Sequence, residues 1–597
     1  MFSFIKTSLA VFGFLVLFII GAIVALVYQI PTGVMSKPQK IILTLDFKQP
    51  VSERKDRSPI DIINNDTSIV LLDVIRAIEA ASKDDSVKGI VALFGSEQPS
   101  MTTVQEILPA LRKFRDTGKF SYAFGTSFGD FGTGSRSYML ASVFDNIWLQ
   151  PVGTVSLTGM GLFAPFAKEA FEKVGVVPDF MQREEYKNVM DFAQMTEFSP
   201  HVREELTGVL YSLSNQLAHG ISLNRRKDID GVKSLMKEGP FIDEDALANG
   251  LITKLAYYDE LEEEVKKQAG GDAGYIDAST YLSFVKSDAL LQDVKKGASG
   301  TKVALIYALG NIVEGDKGAF NSDRVANSQD IAEAFRQAEE DDEIRAVVFR
   351  IDSPGGSPVA SETIRRAVKN VQKKKKPVIV SMGETAGSGG YWIAMDADKI
   401  VANGATITGS IGVVAGKFAA EEGLKKIGVS IDEITMSSNA GMWNMFRTFS
   451  EEQKNKVNAL LDKTYDVFVK GVSEGRKIPM SKMPSIAKGR IFTGEQALKV
   501  GLIDAVGGYD AAFKAVRDVL GLDANAKLSF TVLPAEPSQF EKILKLLKEF
   551  SADADKFSSF MKSASLFSFL SKTPIVQNTA LISQEPVLAV MGGVYYE

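Results

Sequence analysis

The strongest constraint on this chain is an internal repeat. Gly134 and Ser135 return 253 positions later as Gly387 and Ser388, Tyr138 as Tyr391, Ala141 as Ala394, Asp145 as Asp398 and Gly159 as Gly412. Residues 173–176 return in the same register as 426–429; after a shift of two, residues 198–199 match 449–450 and 241–252 match 492–503. Register kept over so long a stretch requires two copies of one folded unit. Within each copy, apolar runs alternate with amphipathic stretches. In the second copy, residues 303–307 and 347–351 read as strands, 328–339 and 361–373 as helices, and 450–475 as a long helix. The first copy follows the same plan, with a strand at 91–94 in place of 347–350. Strands separated by helices imply parallel crossover units, hence an α/β fold. The expected organisation is residues 1–35, a first copy at 36–295, a second at 296–534 and a tail at 535–597.

Two motifs of the second copy point to chemistry. Residues 377–414 contain an apolar run, the glycine-rich GETAGSGGYWIA expected to start a helix, a second apolar run at 400–402, and a turn that places Ser410 between Gly409 and Ile411. A serine on a tight glycine turn after a strand has its hydroxyl pushed clear of the backbone for nucleophilic attack, although a plain loop serine would read the same way. Upstream, IRAVVFRIDSPGGS is a strand ending in a turn whose Gly355 and Gly356 amides suit an oxyanion hole. One motif offering amides and another a hydroxyl favour acyl transfer.

A base is needed, and the chain has only two histidines, His201 and His219. Both fall in a helical pattern away from any strand end or glycine turn and are expected at the surface, which leaves lysine as the base. Divergence between the copies narrows the choice. Leu157 stands where the second copy has Ser410, and GSEQPS at 95–100 replaces the SPGG turn. The first copy instead carries Lys187, after a strand-like 177–182, where the second has Ala440. Each copy lacks the polar group the other keeps, so one composite site from Ser410 and Lys187 is the economical reading; a solvated lysine is the alternative.

The chain opens with MFSFIK and then an uncharged, mainly apolar run at residues 7–28, long enough at about 1.5 Å per residue to cross a bilayer core. An uncleaved anchor is expected, with a cleaved signal peptide as the competing reading, and flanking Lys6, Lys37 and Lys40 orient it poorly. The remainder has globular composition, 45% hydrophobic and 24% charged, and the net charge of −6 argues against a nucleic-acid partner. With no cysteine and no HExxH pattern, neither disulfides nor a catalytic metal is expected, and no cofactor motif is present.

Taken together, DSPGGSPVASE, GETAGSGGYWIA, IVANGATITGSIGVV and EEYKNV resemble signal peptide peptidase A in its long bacterial form, which has a tandem repeat and an N-terminal membrane anchor. The resemblance runs from about Lys40 to about Pro534. It implies a ClpP/crotonase-like α/β fold and a serine endopeptidase that degrades signal peptides left in the membrane after preprotein processing. It also implies Ser410 as nucleophile, Lys187 as general base and a homotetrameric bowl with the sites inside. The partners implied are cleaved signal peptides, unfolded hydrophobic peptides and the membrane. The place implied is the inner (cytoplasmic) membrane, single-pass, with the catalytic body on the extracytoplasmic side. For Lys187 to act, its pKa must fall well below that of free lysine, which apolar burial achieves. The Gly355 and Gly356 amides, with that of Ile411, are the expected oxyanion donors, and Ser437 and Ser438 are candidates to orient the amine, against a reading as solvated loop serines.

Nothing functional carries onto the tail. Residues 540–550, FEKILKLLKEF, read as an amphipathic helix that docks on the body, meets another subunit or lies on a membrane; LFSFL at 566–570 and VLAVM at 587–591 are too short to span. Three other functions stay open: a crotonase-like acyl-CoA enzyme working through a carboxylate such as Glu384, a general membrane-associated protease of protein quality control, and an inert membrane scaffold.

Overall fold

The computed structural model of the chain describes residues 37–54, 68–130, 132–286, 300–315 and 325–534, with the backbone of Val587–Val590 and Tyr595–Tyr596. The apolar run at 7–28, the helical pattern at 540–550 and the LFSFL segment lie outside the described residues. Among those described, no helix is long and apolar enough to cross a membrane.

The repeat is visible in the sheets. In the first copy six parallel strands lie in the order Lys254–Leu255, Asn146–Leu149, Phe120–Gly125, Val87–Phe94, Ile41–Asp46, Gly274–Asp277. The second copy reproduces that order with Ala505–Val506, Lys399–Ala402, Val378–Gly387, Ala346–Ser353, Thr301–Leu309 and Leu528–Leu533, again parallel. Even single side chains repeat: the Tyr138 hydroxyl donates to the Leu251 carbonyl at 2.8 Å, and Tyr391 to Leu502 at 2.7 Å. Strands buried on both faces, such as Ala346–Ser353, read as near-continuous apolar runs, which is why the sequence showed them.

Two boundaries differ from expectation. The helix expected from 361 spans Pro358–Lys373, because Ser357 caps it, accepting the Ala360 N–H at 3.3 Å, and Pro358 takes the first turn where no N–H is needed. The GETAG segment, expected to begin a helix, continues the strand Val378–Gly387, and only Gly389–Trp392 is helical. Parallel pairing of Thr385–Gly387 with Ile407–Gly409 holds those small residues extended.

The copies share one core: Leu71, Val104 and Leu108 of the first belong to the same buried cluster as Val303, Val348 and Tyr509 of the second. A buried ion pair crosses this seam. Arg350 Nη1 is 2.9 Å from Glu106 Oε1 and Nη2 is 2.6 Å from Glu53 Oε1, with both the Arg350 and Glu106 side chains 1% exposed. The second Glu106 oxygen accepts the Tyr509 N–H at 2.8 Å, so the carboxylate is satisfied from both copies.

A further sheet ties the copies together. Its order is Val325–Asn327, Asn311–Val313, Gly355–Gly356, Val587–Val590, Val413–Ala419, Val177–Arg183. The first-copy strand Val177–Arg183 runs antiparallel to Val413–Ala419 over seven residue pairs, from Val413 opposite Arg183 to Ala419 opposite Val177. That pairing brings the chain just after Arg183 to the start of the strand that follows Ser410.

Candidate active site

Ser410 follows the strand Ile407–Gly409 and has φ +51°, a left-handed conformation that costs a non-glycine residue about 1 kcal/mol or more and persists only where the surroundings enforce it. Its N–H donates to the Arg490 carbonyl at 2.6 Å, and the adjoining strand Ile491–Thr493 is antiparallel to Ile407–Gly409. Glu205, on the long helix Pro200–Arg225, accepts the Ile491 N–H at 2.9 Å and so anchors the strand that holds the turn. Burial raises the Glu205 pKa to about 8, while the Ile491 N–H and the Arg490 charge act in the opposite direction.

Lys187 arrives from the other copy. Tyr186 N–H donates to the Lys488 carbonyl at 3.1 Å, and the backbone of Lys187 lies against Gly489 (φ +86°), where a Cβ would come within 2.5 Å of the Lys187 nitrogen. Only glycine permits that approach. The side chain is 1% exposed. Its Nζ lies 3.0 Å from Ser410 Oγ, 3.2 Å from the Ser410 carbonyl oxygen and 2.7 Å from Ser388 Oγ. Desolvation by burial pushes its pKa well below the ordinary lysine value. A neutral amine has two N–H groups and one lone pair. Two N–H bonds to Ser388 Oγ and the Ser410 carbonyl would leave the lone pair for the Ser410 O–H, which matches the three contacts in number.

Ser388 is the residue the sequence reading missed. It is fully buried with φ +53°, its N–H donates to the Gly409 carbonyl at 2.8 Å, and its hydroxyl lies 3.4 Å from the Gly412 carbonyl. The serines expected to orient the amine are elsewhere: Ser437 and Ser438 are exposed, and the Ser438 carbonyl accepts from Gln453 Nε2. Those serines were chosen because they stand near position 440, the sequence equivalent of Lys187. The composite site has no such symmetry, and Lys187 meets the second copy at Ser388 and Ser410. The repeat pairs Ser388 with Ser135, and each hydroxyl contacts its own equivalent glycine, Gly159 in the first copy and Gly412 in the second, so the sequence marks Ser388 as a structural residue and carries no signal of its contact with Lys187.

The SPGG turn starts at Ser353, whose carbonyl lies against the backbone of Gly390, two residues after Ser388. Gly356 has φ +157°, and a Cβ there would meet the Ile312 carbonyl oxygen at 2.0 Å, so the neighbouring strand packs directly on its backbone. The Gly355 N–H donates to Ser353 Oγ at 3.1 Å. Both histidines are exposed, as expected. Glu384 lines a polar cavity of 360 Å³ at the seam between the copies, with Glu53, Arg136 and Asp352, and is no partner of the Lys187 amine. Among the described residues no cluster of His, Asp or Glu suits a metal ion.

A parallel α/β body that presents a serine on a left-handed turn at a strand end has the architecture of a serine hydrolase. The chain belongs to peptidase family S49, which matches residues 125–272 and 370–523, one stretch in each copy. It is 32% identical over 460 residues to Protease 4 of Salmonella typhi, covering 74% of this chain and 71% of that one. It is 30% identical over 457 residues to Protease 4 of Haemophilus influenzae, covering 74% and 72%. It is also 30% identical over 450 residues to the chloroplastic serine protease SPPA of Arabidopsis thaliana, covering 74% and 64%. The chain is accordingly a serine protease with tandem family regions, and the acyl-CoA and scaffold readings fall away.

Proposed function

We propose that the chain is a membrane-anchored endopeptidase that degrades signal peptides and other unfolded hydrophobic peptides through Ser410 as nucleophile and Lys187 as general base. The observation that carries this is the fully buried Lys187 amine 3.0 Å from Ser410 Oγ, where burial is the sole resolved cause of its lowered pKa. A neutral amine there takes the Ser410 proton as Oγ attacks the peptide carbonyl. The resulting ammonium returns that proton to the leaving amine, and water then hydrolyses the acyl ester by the same route. The amides of Gly356 and Ile411 receive the oxyanion, each worth roughly 3 kcal/mol. The Gly355 amide joins them only by leaving Ser353 Oγ.

The finer organisation belongs to the same reading: residues 1–35 as anchor, copies at 36–295 and 296–534 on a ClpP/crotonase-like plan, the body on the extracytoplasmic side of the inner membrane, and a homotetramer enclosing the sites. The apolar run at 7–28 and the resemblance of the four motifs support it. A fluorophosphonate probe tests the chemistry. It should label Ser410 in the native chain and fail to label Lys187→Ala; labelling undiminished by Lys187→Ala would remove the lysine from its role.

A further inference from the structure

Three consecutive residues of the second copy touch both halves of the proposed reacting pair. The Lys488 carbonyl accepts the Tyr186 N–H at 3.1 Å, the Gly489 N–H donates to the Ile411 carbonyl at 2.8 Å, and the Arg490 carbonyl accepts the Ser410 N–H at 2.6 Å. The segment grips the turn at Ser410 and Ile411, and it also carries the backbone of Lys187, which packs on Gly489. The Arg490 side chain closes the arrangement. Its guanidinium carbon stands 3.9 Å from the centroid of the Tyr186 ring, and Nη2 donates to the Tyr186 hydroxyl. Tyr186 is the residue before Lys187 and is 5% exposed. One arginine thus holds the Ser410 turn with its carbonyl and the neighbour of Lys187 with its side chain. A planar guanidinium can lie over an aromatic face and reach the ring's hydroxyl at once, which the ammonium of a lysine cannot do.

The repeat singles out the same contact. Ser410 and Lys187 stand out because the copies differ there, and the residues of this contact differ as well. In the register shifted by two, Gly239 stands where the second copy has Arg490, and in the unshifted register Asn439 stands where the first copy has Tyr186. Gly239 packs its backbone against the carbonyl of Leu157, the equivalent of Ser410, so the first copy keeps the course of this segment without a guanidinium. The fold of the unit therefore does not require an arginine here. Glu205, whose charge also interacts with Arg490 and whose carboxylate anchors the Ile491 N–H, has Lys456 as its equivalent. Arginine, tyrosine and glutamate come together only where two copies meet around Ser410 and Lys187. Burial is the only resolved cause of the lowered Lys187 pKa, so the guanidinium acts on the amine through its position and not through its charge.

We infer that Arg490 is a positioning residue of the reaction, which keeps the Lys187 amine within reach of the Ser410 hydroxyl by clamping Tyr186 to the Ser410 turn. This rests on the assignment of Ser410 and Lys187 as the reacting pair. A misplacement of about 1 Å between reacting groups costs on the order of 100-fold in rate, so loss of the clamp falls on kcat and leaves KM little changed. A loosened Lys187 segment also admits water to the amine, which raises its pKa toward the ordinary lysine value and moves the pH–rate profile to higher pH.

Arg490→Lys, Tyr186→Leu and the double variant, each in the full chain in detergent micelles, test this by steady-state hydrolysis of an unfolded apolar peptide across pH, fluorophosphonate labelling and melting curves. Arg490→Lys keeps a positive charge on a long stem and loses only the planar face. Both single variants should lose kcat by roughly 100-fold with KM little changed and show a pH–rate profile displaced to higher pH. The double variant should be no worse than either single one, since the two residues act as one clamp. Tyr186→Phe, which keeps the ring under the guanidinium, should recover most of the rate. An Arg490→Lys chain with native kcat and a native pH–rate profile overturns the inference. So does a loss of kcat with an unmoved pH–rate profile that tracks a loss of melting temperature, the signature of a merely structural contact. Labelling of the native chain that persists in Lys187→Ala overturns the assignment of the pair itself, whatever the Arg490 variants show, and the inference with it.

Discussion

Ser388 Oγ lies 2.7 Å from Lys187 Nζ, closer than Ser410 Oγ at 3.0 Å, so the nearer of the two serines holding the amine is outside the proposed reacting pair. Ser388→Ala would leave one buried N–H without an acceptor and the amine free to turn. An unsatisfied buried donor costs about 1–3 kcal/mol, so kcat should fall roughly 10- to 100-fold with KM little changed. Ser388→Thr should recover part of the loss if the pocket admits the methyl group. A steady-state comparison of the two variants checks this, and an unchanged kcat in the alanine variant would remove Ser388 from the mechanism.

On the proposed mechanism Lys187 sets the pH dependence. Its pKa is lowered by burial, so the working neutral form is present at pH values where a free lysine is charged, and activity should rise with pH through an apparent pKa well below the free value. For stability the sign is opposite to that of a surface lysine. A depressed folded pKa contributes stability only above the unfolded value, and that stability is lost as pH falls toward the folded pKa. Lys187→Met should therefore abolish turnover without lowering the melting temperature at neutral pH. The double variant Lys187→Ala, Ser410→Ala should be no less active than either single one, since groups acting as a unit are not additive. A pH–rate profile and calorimetry of the methionine variant test both statements.

Substrate choice should follow the cleft. The strand that leaves Ser410 carries Val413, Val414 and Ala415, which are buried and apolar. Placing a charged side chain among such residues costs several kcal/mol, so cleavage should fall after small or apolar residues of unfolded peptides. Mass-spectrometric mapping of cut sites in a denatured protein digest would show it; a map dominated by cuts after Lys or Asp would contradict it.

Much of this was readable before any coordinates, for a physical reason. Strands buried on both faces are continuous apolar runs, so Ala346–Ser353 and the apolar first part of Val378–Gly387 are legible, whereas the GETAG part, rich in small residues, is held extended only by its pairing with Ile407–Gly409. The pair Ser410 and Lys187 was legible because the copies diverged at those positions. Ser388 was not, since a serine kept in both copies looks structural. Nor was the strand Val587–Val590, because four apolar residues acquire a strand only from edges supplied by Gly355–Gly356 and Val413–Ala419, distant in the chain. Glu205 and Arg350 escaped notice for a similar reason: their partners, Ile491 and Glu106, lie in the other copy.

The Arg350–Glu106 pair makes the two copies dependent on each other. Arg350 also pairs with Glu53, so removing Glu106 leaves the arginine one carboxylate, and the loss comes mainly from buried donors left without an acceptor, about 1–3 kcal/mol each. Glu106→Ala should destabilise the chain by a few kcal/mol, because the Tyr509 N–H and the Asn403 amide lose this acceptor, while Arg350 Nη1 keeps Ser381 Oγ and the Met382 carbonyl. Replacing Glu106, Arg350 and Glu53 together with apolar residues of similar volume should recover part of the loss, since Glu53 also pairs with Arg350. Denaturant unfolding of the single and triple variants decides it; a single variant as stable as the native chain would show that the seam does not depend on the pair.

Glu205 should make the Ser410 turn less secure at alkaline pH, where the proposed base Lys187 would be neutral. Its pKa is raised from 4.5 to about 8 by burial, and one of its oxygens has no partner among the described residues. A raised folded pKa gives stability that is present below about pH 4.5 and lost as pH rises through about 8, since the unfolded chain ionises first. The ionised form sits under the strand whose neighbour Arg490 accepts the Ser410 N–H. Glu205→Gln keeps an acceptor for the Ile491 N–H and cannot ionise. It should melt above the native chain at pH 9, with the difference shrinking or reversing at pH 5. Melting curves across that range check the sign: a difference independent of pH would mean that Glu205 does not titrate in the folded chain.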